Sequence, residues 1–174
     1  MRKFIAGIIL GVAGLGAGIF VYTHYGFVNL TADQPVNLLE RAVMGSGMDR
    51  YAERYAPKVK NPIEPNDANL LEGIRLYKAY CALCHGDSGR ATSEFGQGFY
   101  PRTPQFLSDA PDMPQEQNFW IIKHGVRWTG MPAWDKLLTD NDIWKLTTFL
   151  GKMGDLDKLS HTVQAAWKTP GTKQ

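Results

Sequence analysis

The chain has 174 residues, 44% of them hydrophobic and 21% charged, with a formal net charge of +2. That length and balance suit one domain with an attached segment, and they exclude a strongly basic nucleic-acid binder or an acidic disordered tail. Two cysteines are too few for a disulfide-stapled scaffold, and no glycine-rich nucleotide cradle is present.

Charges cancel within residues 33–65 and again within 66–174, so the whole excess is Arg2 and Lys3. These precede Phe4 to Tyr22, nineteen residues without a charge. As a helix this run spans about 28 Å, close to the hydrocarbon thickness of a bilayer. Residues 1–22 are therefore expected to be a single transmembrane anchor with a cytoplasmic N-terminus, leaving the rest on the periplasmic or extracytoplasmic side. A cleaved signal peptide fits less well, because the small residues lie inside the run and Ile19 to Tyr22 continue it. Gly7, Gly11, Gly14 and Gly18 share one helix face, a strip against which a second membrane helix can pack.

Residues 23–65 form a connecting segment. Helical spacing of Val36, Leu39, Ala42 and Val43 predicts a helix broken at Gly45-Ser46-Gly47. Met48, Tyr51, Ala52 and Tyr55 predict a second, ending before Pro57. Folding back of this segment onto the following domain would bury Leu39, Val43 and Tyr55. Pro57, Pro62 and Pro65 then make an extended stretch.

Residues 66–174 carry the chemistry. Asn66 or Asp67 caps a helix whose Leu70, Leu71, Ile74, Tyr77 and Cys81 share a face. It leads into Cys81-Ala82-Leu83-Cys84-His85, which uses both cysteines in one Cys-x-x-Cys-His, the attachment signature of c-type haem. Positions i and i+3 of a helical turn point the same way, so both thiols can bond the two vinyl groups of one haem. His85 then supplies an axial nitrogen. Structural zinc needs further ligands at spacings this chain lacks, and a thioredoxin-like pair needs a strand before the motif.

The sixth ligand separates a closed, electron-carrying iron from an open, reactive one. Met131, in Gly130-Met131-Pro132, is the first candidate, since the proline keeps the backbone extended and the glycine permits close approach. Met113, in Asp112-Met113-Pro114, and His124 are the alternatives. Downstream, Thr139 with Asp142 opens a helix with Ile143, Leu146, Thr147 and Leu150 on its buried face, expected to end at Gly154. The tail 155–174, with Leu156, Leu159, Val163, Ala166 and Trp167, reads as an amphipathic helix packed on the domain.

The pieces Gly73-Ile74-Arg75-Leu76-Tyr77, Cys81 to Gly86, Phe119 to Gly125, Thr129 to Trp134 and Leu138 to Trp144 together resemble class I c-type cytochromes. The whole chain resembles a membrane-anchored monohaem cytochrome c. The resemblance implies an all-α domain around one covalently bound haem c, with first and last helices crossing near Gly73, Tyr77 and Trp144. It places Phe119 and Ile122, with Trp120, toward the haem. It also implies that a carbonyl at Pro101 or Pro104 accepts the His85 ring N–H, although the stretch 87–118 is long and irregular. Arg102, Arg127 and Trp128 are the candidate partners of the haem propionates. The implied activity is one-electron transfer between redox proteins by a tethered carrier, which is no enzyme on its own. A fixed subunit of a respiratory or photosynthetic complex, or a haem enzyme or gas sensor with an open iron, are the alternatives.

Overall fold

A computed structural model describes residues 1–169, which divide into two compact units, Met1–Thr31 and a second starting at Ala32. The first is helix α1 (Arg2–His24), long and apolar enough to cross a membrane. Near its end the Thr23 hydroxyl turns back to the carbonyl of Ile19 at 2.9 Å, so that polar group is satisfied within the helix.

In the second unit the regular elements among the described residues are helices, with one isolated bridge between Asp87 and Arg90. Helix α2 (Leu38–Tyr55) is continuous through Gly45-Ser46-Gly47, where the sequence predicts a break. The cap explains its start: Asn37 accepts the amide of Glu40 at 2.8 Å. Two interior glycines cost about 1 kcal/mol each against alanine, which tertiary contact readily offsets. That contact is not the expected one. Leu39, Val43 and Tyr55 remain 75%, 59% and 50% exposed, and Ala52 and Ala56 are buried instead. Small residues let α2 approach α6 (Gln115–His124) closely, and Tyr55 stacks on Trp120 with ring centres 6.5 Å apart.

The core forms where α3 (Asp67–Tyr80) crosses α7 (Asp140–Leu150). Asn66 caps α3, accepting the amide of Asn69 at 3.0 Å, and Thr139 with Asp142 makes the reciprocal capping box of α7. Both helices bury one apolar stripe, with Leu70, Ile74 and Tyr77 meeting Ile143, Leu146 and Phe149. Gly73 is where they touch: a Cβ there would lie 2.6 Å from the Lys145 carbonyl and 2.7 Å from the Phe149 Cβ. Phe119 of α6 stacks on Trp144 at 4.0 Å and closes a further side.

Helix α7 ends at Gly151 rather than at Gly154, which lies in a 3-10 turn over Met153–Lys158. The tail then forms α8 (His161–Lys168), burying Val163 and Trp167 as the amphipathic spacing predicts. Trp167 packs edge-on against Tyr77 at 5.7 Å, and Lys78 donates to the Ala166 carbonyl at 2.7 Å, a cation on the helix C-terminus. Residues 170–174 of the predicted tail lie outside the described residues. In the proline-rich connector, Asn61 donates to Gln115 (2.5 Å), Thr148 (2.8 Å) and the Trp144 carbonyl (3.1 Å), tying that stretch to α6 and α7.

Candidate haem-attachment site

Helix α3 runs to Tyr80, and Cys81 begins a single turn, α4 (Ala82–His85), that carries the whole motif. Four residues cannot hold a helix by themselves. Here every carbonyl from Ala82 to Gly86 has a donor. Gly86 N–H donates to Ala82 at 3.0 Å, the Ser93 hydroxyl to Leu83, and Gln105 Nε2 to Cys84 at 3.0 Å. Phe106 N–H donates to His85 at 3.3 Å, and the buried Tyr77 hydroxyl to Gly86 at 2.8 Å. The orphan carbonyls of a helix end are thus met by the side chains of Tyr77, Ser93 and Gln105 together with backbone amides. Burial holds the Tyr77 hydroxyl well above its ordinary pKa, so it stays a donor.

A second short turn, α5 (Glu94–Gln97), presses on the back of this one. A Cβ at Gly96 would sit 2.0 Å from the Cys84 carbonyl, and one at Gly86, at φ +80°, would sit 2.8 Å from the carbonyls of Arg90 and Ala91. Only glycine fits either place.

His85 is buried, its ring stacked on Phe106 at 4.1 Å, with Nδ1 2.9 Å from the Pro104 carbonyl. Pro104, of the two prolines considered, is thus the partner. Burial lowers the imidazole pKa below its ordinary 6.5, partly opposed by that hydrogen bond. The ring is therefore neutral, and Nδ1–H donates to the carbonyl. Nε2 keeps its lone pair in a fixed direction, the arrangement that orients a metal-ligating histidine. Burial, with Cys84 beside it, pushes the free Cys81 thiol up to about 12, and burial raises Cys84 too. No disulfide joins them.

Met131 lies half-buried against the core on a closed loop. Val126 N–H donates to the Met131 carbonyl at 3.1 Å, Met131 N–H to the Thr129 hydroxyl at 3.0 Å, and that hydroxyl to Val126 at 2.8 Å. Gly125, at φ +66°, lies so close to the backbone of 131–133 that a Cβ would come within 2.6 Å. The loop is anchored onto the end of α6 by Trp134 N–H to Ile122 and Asp135 N–H to Lys123, both 3.2 Å. Segment 93–106 touches both halves of the site: Gly96 and Gln105 meet Cys84, Pro104 meets His85, and Phe99 packs on Gly130.

The other candidates sit elsewhere. Met113 precedes α6, its carbonyl accepting from Asn118 at 3.0 Å. His124 is exposed and packs tilted against Trp120, ring centres 3.9 Å apart, on the face of α6 that meets α2. Trp120 belongs to that α2 contact. Arg102, Arg127 and Trp128 are all exposed, and Trp128 stands at φ +60° with 75% of its surface in solvent. Sequence reasoning missed Gln105, Ser93 and Gly96, whose roles depend on contacts across the turn and leave no local pattern. Two thiols on one turn, an imidazole with one nitrogen tied back and a thioether on a loop that segment 93–106 also touches form a donor set that fits haem c.

Residues 68–150 match the family model described as cytochrome c oxidase, cbb3-type, subunit III. These residues form a c-type cytochrome domain. The chain is 34% identical over 97 residues to the cbb3-type cytochrome c oxidase subunit FixPc of Rhizobium leguminosarum bv. viciae. That alignment covers 52% of this chain and 30% of the relative, so the chain spans less than a third of the protein it matches. A chain of a reducing HAO-like protein complex from Kuenenia stuttgartiensis aligns with a TM-score of 0.46 at 23% identity, covering 59% of this chain and 53% of that one. The cytochrome domain accounts for the helix order α3 to α7. The apolar α1 and the connecting α2 lie outside the matched residues.

Proposed function

We propose that the chain is a one-electron carrier that would hold one haem c through Cys81 and Cys84, with His85 and Met131 as the side chains that would bind its iron. The observation that carries this reading is the His85 ring, tied to Pro104 by Nδ1 and free at Nε2 on the same turn as both thiols. When bound, haem c supplies a reversible one-electron couple. The chain's part is to keep that couple in a fixed, dry place. Neutral His85 offers a nitrogen ligand, and the capped carbonyls of 82–86 prevent the turn from unwinding. The thioether of Met131 would bind the same iron and so keep small molecules from it. Arg102 and Arg127 are proposed to balance the propionates, with Trp128 beside them.

Helix α1 is proposed as a retained anchor with its N-terminus in the cytoplasm, which raises the effective concentration of membrane redox partners. Likeness to an oxidase subunit favours work inside a membrane oxidase complex over free shuttling, with the strip Gly7, Gly11, Gly14 and Gly18 as the packing face for a neighbouring helix. Co-purification from mild detergent tests this: a lone, monodisperse chain argues for the tethered carrier.

The decisive measurement is the optical spectrum of the oxidised protein and its Met131→Ala variant. A weak far-red methionine–iron band is expected in the wild type and absent in the variant. Persistence of the band in the variant refutes Met131. Ready binding of carbon monoxide to the reduced wild type at neutral pH refutes the closed-iron reading as a whole.

A further inference from the structure

Helix α2 touches both supports of the Met131 loop. At its N-terminus the Glu40 carboxylate, held near the first turn by Asn37 (3.3 Å), accepts a hydrogen bond from the Tyr100 hydroxyl. Tyr100 follows Phe99, whose ring fills the space beside Gly130 so tightly that a Cβ there would lie 2.5 Å from it. Gly130 is the residue before Met131. At the other end, Ala52 is wholly buried and Tyr55 stacks on Trp120 of α6. Helix α6 leads straight into the loop, which hangs from its Ile122 and Lys123 carbonyls. The loop is thus held on one side by the 99–100 turn and on the other by α6, and α2 bridges the two.

We propose that α2 is a brace for the sixth-ligand loop, with Glu40 and Tyr100 as positioning residues for Met131. This rests on the assignment of Met131 made above. The connector between the membrane helix and the cytochrome domain then has a role in ligation, beyond spacing the domain from the bilayer. Loosening α2 lets the loop open more often, and a methionine on an opening loop yields its place to an added ligand. The 38–55 segment carries no haem-binding residue itself, so the effect must travel through Tyr100 and Phe99 or through α6.

Imidazole binding to the oxidised full-length protein in detergent tests the brace, because imidazole binds only when the methionine has left. Tyr100→Phe keeps the ring and deletes the hydrogen bond, and Glu40→Ala deletes its acceptor. Each is expected to tighten apparent imidazole binding about fivefold, the factor set by one hydrogen bond of ordinary net strength. The double variant should match either single one, since both remove the same bond. Glu40→Gln retains an acceptor oxygen and should restore the wild-type affinity, which a merely destabilised fold would not do. In parallel, amide hydrogen exchange at Val126 and Met131 should accelerate in Tyr100→Phe while the core of α7 keeps its wild-type rate. Imidazole affinity within twofold of wild type in both single variants, with Met131→Ala binding it much more tightly, overturns the brace. If instead Met131→Ala leaves imidazole binding unchanged, the ligand assignment fails. The exchange rates at Val126 and Met131 then decide the brace alone, and unchanged rates overturn it.

Discussion

Gly73→Ala tests whether the α3–α7 crossing is as tight as its geometry states. The added Cβ would stand 2.6 Å from a backbone carbonyl oxygen and 2.7 Å from the Phe149 Cβ, neither of which can swing aside. To reach ordinary contact the helices must part by about 0.7 Å, a gap at which close-packed atoms forfeit a quarter or more of their attraction. Overpacking of this kind costs about 1–3 kcal/mol, and a backbone obstacle places it near the top of that range. Replacing a helical glycine by alanine returns about 0.5–1 kcal/mol, so the net loss is about 2 kcal/mol. Gly47→Ala is the control: it lies inside α2 with nothing within 4 Å of its Cβ position, so only the favourable propensity term acts. Urea unfolding of the detergent-solubilised protein, followed by far-ultraviolet circular dichroism, gives both midpoints. A Gly73→Ala midpoint equal to or above the wild type refutes the close crossing.

Other outcomes follow from the same contacts. Tyr77→Phe keeps the ring against Phe149 and Trp167 but leaves the Gly86 carbonyl without its donor, which should lower unfolding free energy by about 1–2 kcal/mol in the same assay. Asp142 has its carboxyl held below the ordinary 3.8 by the hydrogen bond from Thr139, so its stabilisation is full above the unfolded value and is lost as pH falls through the folded one. The gap in unfolding free energy between wild type and Asp142→Asn should therefore be constant above about pH 5 and shrink in acid. A gap that widens in acid is the wrong sign and refutes the cap. Trp128→Asn replaces a bulky, solvent-exposed residue at φ +60° by one that tolerates the left-handed region, and should raise stability by about 0.5–1 kcal/mol. A loss of stability instead would show that the indole makes contacts worth more than its backbone strain.

The motif from Cys81 to His85 was legible because its three side chains share one turn and so stand contiguously in the sequence. The cap of α7 and the amphipathic face of α8 were legible for a similar reason, each being a pattern confined to a few residues. Helix α2 shows where such reasoning stops. Gly45-Ser46-Gly47 is a poor helix former, yet α2 runs through it, because burial of Ala52 and Ala56 and the stack of Tyr55 on Trp120 outweigh local propensity. The large apolar residues predicted to be inside are outside, since close helix approach selects small side chains.

The sequence alone pointed to the cofactor class and located the apolar N-terminal span and the order of the cytochrome helices, since each depends on spacing along the chain. Only the tertiary structure decided which proline carbonyl orients His85, which donors cap the turn that bears it, and what supports the Met131 loop. Those choices depend on residues 10 to 60 positions apart meeting in space, and hydrogen bonds between such residues leave no periodicity to read. The net charge of +2 belongs wholly to the two residues ahead of α1. It bears on the topology of the chain and leaves the cytochrome domain, whose charges cancel, to be defined by its packing.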